Sequence, residues 1–215
     1  MKKILKEQKT SQNKPKPYVI PEVVSVVEDL DFSGTYSYAN YLRWEFEERL
    51  ELIKGKIFKM AAPTTLHQRV TGRIYGELYH FLKKQKCEVL VSPFDVRFPN
   101  TSTADQDVFT VLQPDVCIVC DAAKLEPRGC LGAPDIVIEV LSPSTSKKDM
   151  INKFNVYEQH KVKEYWIVEP TEKCILKYIL NASGLFIGDQ PYSISDQLTS
   201  CILPGFNLSI EEIFS

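Results

Sequence analysis

Charge of one sign is the first thing this chain lacks. Its 26 Lys and Arg nearly balance 28 Asp and Glu, leaving a net charge of −2 over 215 residues. No global basic field exists to attract a polyanion, so any contact with nucleic acid must come from a local patch. Long hydrophobic runs are lacking too: no stretch is apolar for the roughly 20 residues that a membrane-spanning helix needs. The beginning, Met1 to Lys16, is basic and polar, with no apolar signal region. The expectation is a cytoplasmic protein with no membrane partner. Cysteine is scattered rather than patterned. Cys117 and Cys120 form a C-x-x-C, but no second pair completes a zinc site. Both lie along an apolar run that reads as a strand, so their side chains should point to opposite faces. All six cysteines, at 87, 117, 120, 130, 174 and 201, read as small buried hydrophobes in a reducing compartment.

What is there is an ordinary globular composition. At 44% hydrophobic and 25% charged residues, a chain of this length can bury one sizeable core. Residues 1–20, with five lysines in the first fourteen positions and two prolines, read as a disordered basic arm. A solvated tail accounts for it, and a nucleic-acid tether is the alternative. Residues 21–215 read as a single domain.

Tyr36 to Trp44 suggests a short helix. Arg49 to Ile53 and Lys56 to Met60 alternate around Lys54-Gly55, a hairpin signal. Glu51 lies on the face opposite Leu50 and Leu52, either solvated or aimed into a cleft. From Thr64 to Gln85, Leu66, Val70, Ile74, Leu78 and Leu82 recur in steps of four, which predicts a helix with His67 in its first turn. Cys87 to Val91 and Phe94 to Phe98 read as a pair of strands, residues 99–112 as a polar loop, and Asp121 to Ala133 as a surface connection. A basic helix is expected over Ser146 to Gln159, bearing Lys147, Lys148, Lys153 and Lys161. Then come a central strand at Glu164 to Val168, a hairpin over 174–187 and a short closing helix. Strands interleaved with two long helices predict an α/β sandwich around a mixed sheet.

Two short apolar runs carry the chemistry. Val116 to Val119 opens on Asp115, and Ile136 to Leu141 holds Glu139 inside it. A buried strand has little use for an acid unless something cationic or reactive sits beside it. The two acids are 24 positions apart (139 − 115), and if their strands pair they can converge on one divalent cation. Mg²⁺ prefers hard oxygen ligands and is commonly held by one or two carboxylates with water and phosphate. The plainer reading makes Asp115 a turn residue and puts Glu139 on an exposed strand face. A third component would be a cation near the attacking water. Two residues after Glu139 stands Leu141, so Lys153 on the next helix is the substitute, against the plainer reading of a solvated helix lysine. Lys147 and Lys148 suit backbone phosphate contacts.

At these residues the chain resembles the Uma2-like proteins of the PD-(D/E)XK nuclease superfamily. The resemblance rests on Glu51-Leu-Ile-Lys-Gly55, His67-Gln-Arg-Val70, Ser92-Pro-Phe-Asp-Val-Arg97 and Gln113-Pro-Asp115. It continues through Gly132-Ala-Pro-Asp135, Glu139-Val-Leu-Ser-Pro-Ser-Thr145, Asp149 to Lys153, Tyr157, Lys163 to Pro170 and Leu203-Pro-Gly205. It covers roughly residues 36–214, all but the basic arm. What it implies is a restriction-endonuclease-like mixed sheet flanked by helices. Asp115 and Glu139 would be ligands of Mg²⁺ or Mn²⁺, and Lys153 a lysine that has moved from strand to helix. Glu51 would be an accessory metal or water ligand. His67 falls where the family has a helix histidine, with a structural, phosphate-contacting or catalytic role. The implied activity is hydrolysis of DNA that leaves a 5′ phosphate. A cut in both strands needs two sites or two visits, which makes a homodimer the natural guess. The competing reading is a member that binds nucleic acid or protein without cleavage. The presence of Asp115, Glu139 and Lys153 together favours the enzyme.

Overall fold

The computed structural model describes residues 23–143 and 147–215, with side chains from residue 150 onward in the second stretch. The basic arm therefore lies outside the described residues. After a short 3-10 turn at Val27–Asp29 come α1 (Tyr38–Tyr41), β1 (Leu50–Ile53), β2 (Lys56–Lys59), α2 (Thr65–Leu82), β3 (Glu88–Val91) and β4 (Val96–Arg97). Five strands follow: β5 (Val111–Leu112), β6 (Val116–Val119), β7 (Leu125–Glu126), β8 (Gly129–Leu131) and β9 (Ile136–Val140). After α3 (Lys147–Gln159) come β10 (Glu164–Glu169), β11 (Cys174–Leu180) and β12 (Phe186–Gly188). The tail holds β13 (Gln197–Thr199), β14 (Asn207–Ser209) and α4 (Ile210–Phe214).

The strands form two six-stranded mixed sheets rather than one, with β13 and β14 as a separate antiparallel pair. The larger elements build a six-stranded sheet of order β12-β11-β10-β9-β6-β3, in which β9 and β10 run parallel and the other neighbours antiparallel. A second six-stranded sheet, β2-β1-β5-β4-β8-β7, is assembled largely from strands of two or three residues. Those strands are too short to show an alternation, which is why residues 99–112 and 121–133 read as loops. β5 lies inside the first of these segments. β7 and β8 form a hairpin in the other, with β8 parallel to β4 and Cys130 fully buried. The buried Arg97 guanidinium meets Glu126 at 2.5 Å and Asp105 at 3.8 Å, tying both segments down. β3 and β4, expected as partners, belong to different sheets.

The β12-to-β3 sheet is covered on both faces. On one side Ile136, Ile138, Val140, Trp166 and Val168 pack against Val70, Ile74, Leu78 and Leu82 of α2 and against the tail. On the other, Cys117, Val119, Val137, Tyr165 and Ile167 meet Val156 and Tyr157 of α3 and the inner face of the second sheet. Thr64 caps α2 through the His67 N–H at 3.2 Å. Leu66 is not on the inner stripe but 45% exposed. Steps of four overshoot a helical turn by about 40° each, so a long i+4 row drifts off the buried face. His67 and Thr71 take the inward positions instead. Lys54 and Gly55 turn between β1 and β2 with φ of 52° and 78°, the left-handed pair of a type I′ hairpin. α1 is shorter than expected, and Lys161 follows α3 at a φ of 65°.

The cysteine reading needs correction. The β3–β6 register, carried one pair beyond Glu88↔Val119, sets Cys87 opposite Cys120, and the two are joined as a disulfide. Cys201 is exposed. Cys117 and Cys120 do point to opposite faces, one into each core. Among the described residues, no helix is long and apolar enough to cross a membrane.

The drift of the α2 face makes a direct prediction. Ile74→Ala should lower unfolding stability by about 2–5 kcal/mol. Leu66→Ala should stay within about 0.5 kcal/mol. Urea melts of the two variants check it, and equal losses would put the helix in the wrong rotation.

Candidate active site

The reactive groups gather where the two sheets and α3 meet. Pro114 leads Asp115 into β6, and extending the β6–β9 register by one pair beyond Val116↔Ile138 sets Asp115 opposite Glu139. Cross-strand partners share a face, so both acids lie on the α3 side of the sheet. Asp115 Oδ2 accepts the Val140 N–H at 2.8 Å and lies 3.2 Å from His67 Nε2. Glu51 leaves β1 on the face opposite Leu50 and Leu52, and that face looks into the cleft. It is 4% exposed, and its Oε1 accepts the Gln113 N–H at 2.8 Å.

Lys153 points inward from α3. Its Nζ lies 2.9 Å from Glu139 Oε1 and 3.0 Å from Glu51 Oε1, so one ammonium bridges an acid from each sheet. Four residues on, one helical turn along the same face, the Tyr157 hydroxyl donates to Glu139 Oε1 at 2.5 Å. Glu51, His67, Asp115, Glu139 and Lys153 line a cavity of about 180 Å³, with Leu141 and Tyr165 among its apolar walls. The solvated readings of Glu51, Glu139 and Lys153 therefore do not hold. The side chains of Lys147 and Lys148, read as phosphate contacts, lie outside the described residues.

The electrostatics follow from crowding. Burial pushes Glu139 up to about 7; Lys153 and the Tyr157 hydroxyl oppose the rise, and the charges of Asp115 and Glu51 add to it. Burial would favour a neutral Lys153, but Glu139, Glu51 and Asp115 outweigh it and hold the ammonium above its ordinary value. For His67, burial pulls downward, and the hydrogen bond and charge of Asp115 carry the net shift upward.

The donor set suits a hard divalent cation. Three carboxylates surround one lysine, which leaves buried negative charge in excess. Each spends one oxygen on the bonds just described, and the other takes no hydrogen bond among the described residues. Among those residues no three His, Cys, Asp or Glu side chains make a ready-made cage. A metal here would rest on two carboxylates, completed by water and phosphate.

Three residues around the site give little sign of it in the sequence. Tyr157 reads as part of the apolar stripe of its helix, although its place four residues after Lys153 marks it as a neighbour. Gln113 holds Glu51 with its backbone N–H and Arg49 with its side chain, at 3.0 and 2.7 Å. Arg49 itself carries no local signal.

The comparisons bear on the family and the fold. A family model described as "Putative restriction endonuclease" (Uma2) matches residues 38–211. The chain belongs to the Uma2 family. It is similar to the uncharacterized protein slr1290 of Synechocystis sp., 29% identical over 161 residues, covering 74% of this chain and 80% of that one. A second Synechocystis protein, sll1609, is 27% identical over 136 residues, covering 61% and 73%. Among solved structures, "a putative nuclease belonging to DUF820" from Anabaena variabilis superposes with a TM-score of 0.64 at 19% identity. The match covers 83% of this chain and 97% of that one. The expected restriction-endonuclease-like α/β fold therefore holds, and the family supports a nuclease-like function.

The state of Glu139 sets a pH dependence. Its folded pKa lies above the unfolded value near 4.3, so the protonated form favours folding. That stability is complete below the unfolded value and is lost as pH rises through about 7. Glu139→Gln should melt higher than the parent at pH 8, in the absence of metal, and the gap should close toward pH 4. Melting temperatures across that range, in EDTA, check it; a gap independent of pH would contradict the shift.

Proposed function

We propose that the chain is a divalent-metal-dependent endonuclease that hydrolyses DNA phosphodiester bonds, with Asp115 and Glu139 holding Mg²⁺ or Mn²⁺. The observation that carries this reading is the convergence of Asp115, Glu139 and Glu51 around the Lys153 ammonium in one cavity. Family membership supports the nuclease class.

When bound, the cation supplies Lewis acidity, easing ionisation of water and offsetting charge at phosphorus. The protein's own groups do the rest. Lys153 has three N–H donors; Glu139 accepts from one of them, and Glu51 pairs with the ammonium at 3.0 Å. A remaining donor is left for the attacking water or a non-bridging phosphate oxygen, where a fixed positive charge stabilises the transition state. Glu51 fixes Lys153 through Oε1, which leaves Oε2 to accept a proton from the water. His67 steadies Asp115 from the start of α2. Tyr157 keeps Glu139 Oε1 occupied, so Oε2 is the oxygen available to the metal. Water attacks in line and its proton passes to Glu51, the bond from phosphorus to the 3′ oxygen breaks, the 3′ oxygen takes a proton from solvent, and the product keeps its 5′ phosphate.

Nicking of supercoiled plasmid tests the reading. It should require Mg²⁺ or Mn²⁺, stop in EDTA, and fall by about 10²-fold or more in Asp115→Ala and in Lys153→Ala. Melting curves confirm that the variants are folded. Metal-dependent nicking that survives Asp115→Ala overturns the assignment.

A further inference from the structure

A second cavity, of about 170 Å³, adjoins the first, and Arg49 lines both. Arg49 follows two glutamates and immediately precedes β1, yet among the described residues it makes no ion pair. Its guanidinium is fixed by neutral acceptors instead. Nε and Nη2 donate to Gln113 Oε1 at 3.0 and 2.7 Å, and Nη2 also donates to Ser92 Oγ. An arginine held in place but not neutralised is suited to an anion that arrives from outside, and its planar fork matches phosphate.

The rest of the second cavity is aromatic. Tyr41, Trp44 and Phe46 line it, with Tyr41 and Trp44 at 5.2 Å between centroids and Trp44 and Phe46 stacked at 5.9 Å. The Trp44 indole N–H is buried and has no acceptor among the described residues. An orphaned buried donor is costly until something accepts from it. Glu47 and Glu48 also line this cavity. Their charge opposes entry of the DNA backbone but not of an uncharged base, which carries ring-nitrogen and carbonyl acceptors.

Resting on the nuclease reading, we propose that this cavity is a nucleotide subsite beside the reactive pocket. It takes an unpaired nucleobase of the DNA substrate against Tyr41, Trp44 and Phe46, while Arg49 holds the adjoining phosphate. A base inside a duplex cannot enter it without leaving the stack. The substrate class is therefore single-stranded DNA, or duplex DNA with an unpaired end, flap or bubble. Gln113 links the two cavities, with its backbone N–H on Glu51 and its side chain on Arg49. The base therefore sits at a set distance from the acids.

The experiment is equilibrium binding of a short single-stranded oligonucleotide and its matched duplex, with Ca²⁺ in place of Mg²⁺, across a salt series. The wild-type protein should bind the single strand about tenfold more tightly or better, since one stacked base is worth that much. Trp44→Ala should lose most of that preference, and Trp44→Phe should keep a good part of it because a ring remains. Arg49→Gln should weaken both ligands and flatten the slope of log K against log salt by about one, while Arg49→Lys restores the slope. A purely structural Arg49 would lower the melting temperature without touching the slope. Trp44 also reports directly, since Trp166, the other of the two tryptophans, is fully buried. Single strand should quench the emission more than duplex does. Equal affinity for both ligands, or an unchanged slope in Arg49→Gln, overturns the subsite while leaving Asp115-dependent nicking intact. A wild-type protein that binds neither ligand overturns the subsite and the nuclease reading together.

Discussion

The Lys153 ammonium lies between Glu51 and Glu139, and the architecture around the cleft depends on that contact. Each partner comes from a different layer: Glu51 from β1 of one sheet, Glu139 from β9 of the other, and Lys153 from the helix laid over their junction. A carboxylate buried among valines and isoleucines is costly unless a cation and hydrogen bonds compensate it. The sheets are therefore held in the one arrangement that keeps both acids within reach of the lysine. The same contact leaves the cluster short of positive charge. That shortage is what would draw a cation to the proposed site, and the excess of carboxylates helps keep Glu139 titrating near neutrality.

Gln113 carries this constraint outward. Its N–H holds Glu51, its side-chain oxygen holds Arg49, and its Nε2 donates to Asp95 at 2.9 Å and to the Tyr41 hydroxyl at 3.1 Å. One residue thus connects the acids, the unpaired guanidinium and the aromatic cavity through bonds that are short and mostly shielded from water. A substrate that meets Arg49 meets a group already oriented, so little ordering remains to be done on binding.

Buried acids elsewhere show why their presence alone does not mark a site. Glu164 is fully buried on β10 and accepts from Trp166 Nε1, Ser200 Oγ and the Cys201 N–H, so it fastens the tail to the sheet. Asp135 accepts from the Cys120 N–H and pairs with Lys163, and it titrates below the ordinary carboxylate range: burial opposes the shift and the lysine prevails. Both are saturated. Asp115, Glu51 and Glu139 differ in keeping an oxygen in reserve and in facing one another across a cavity. Nothing in the spacing of residues separates the two kinds, because saturation comes from partners distant along the chain.

By itself the sequence determined the elements that are long enough to carry a period. The α2 helix and the β1–β2 hairpin follow from periodicity and turn residues within short windows, and the strands after Asp115 and around Glu139 from their continuous apolar runs, while their pairing came from the structure. The Glu139-to-Pro170 pattern, with Leu141 where a lysine is commonest, pointed to Lys153 by family resemblance. Only the tertiary structure decided the rest. Beyond the β1–β2 hairpin, the second sheet is made of strands of two or three residues, which take shape from neighbours rather than from their own pattern. Cys87 and Cys120 meet because two strands pair across 33 residues of chain. Arg49, Gln113 and Tyr157 join the cleft through contacts that span from 18 to 64 positions. Local physics reaches about one helical turn along the chain, and the juxtapositions that make a site are formed by packing over far greater separations.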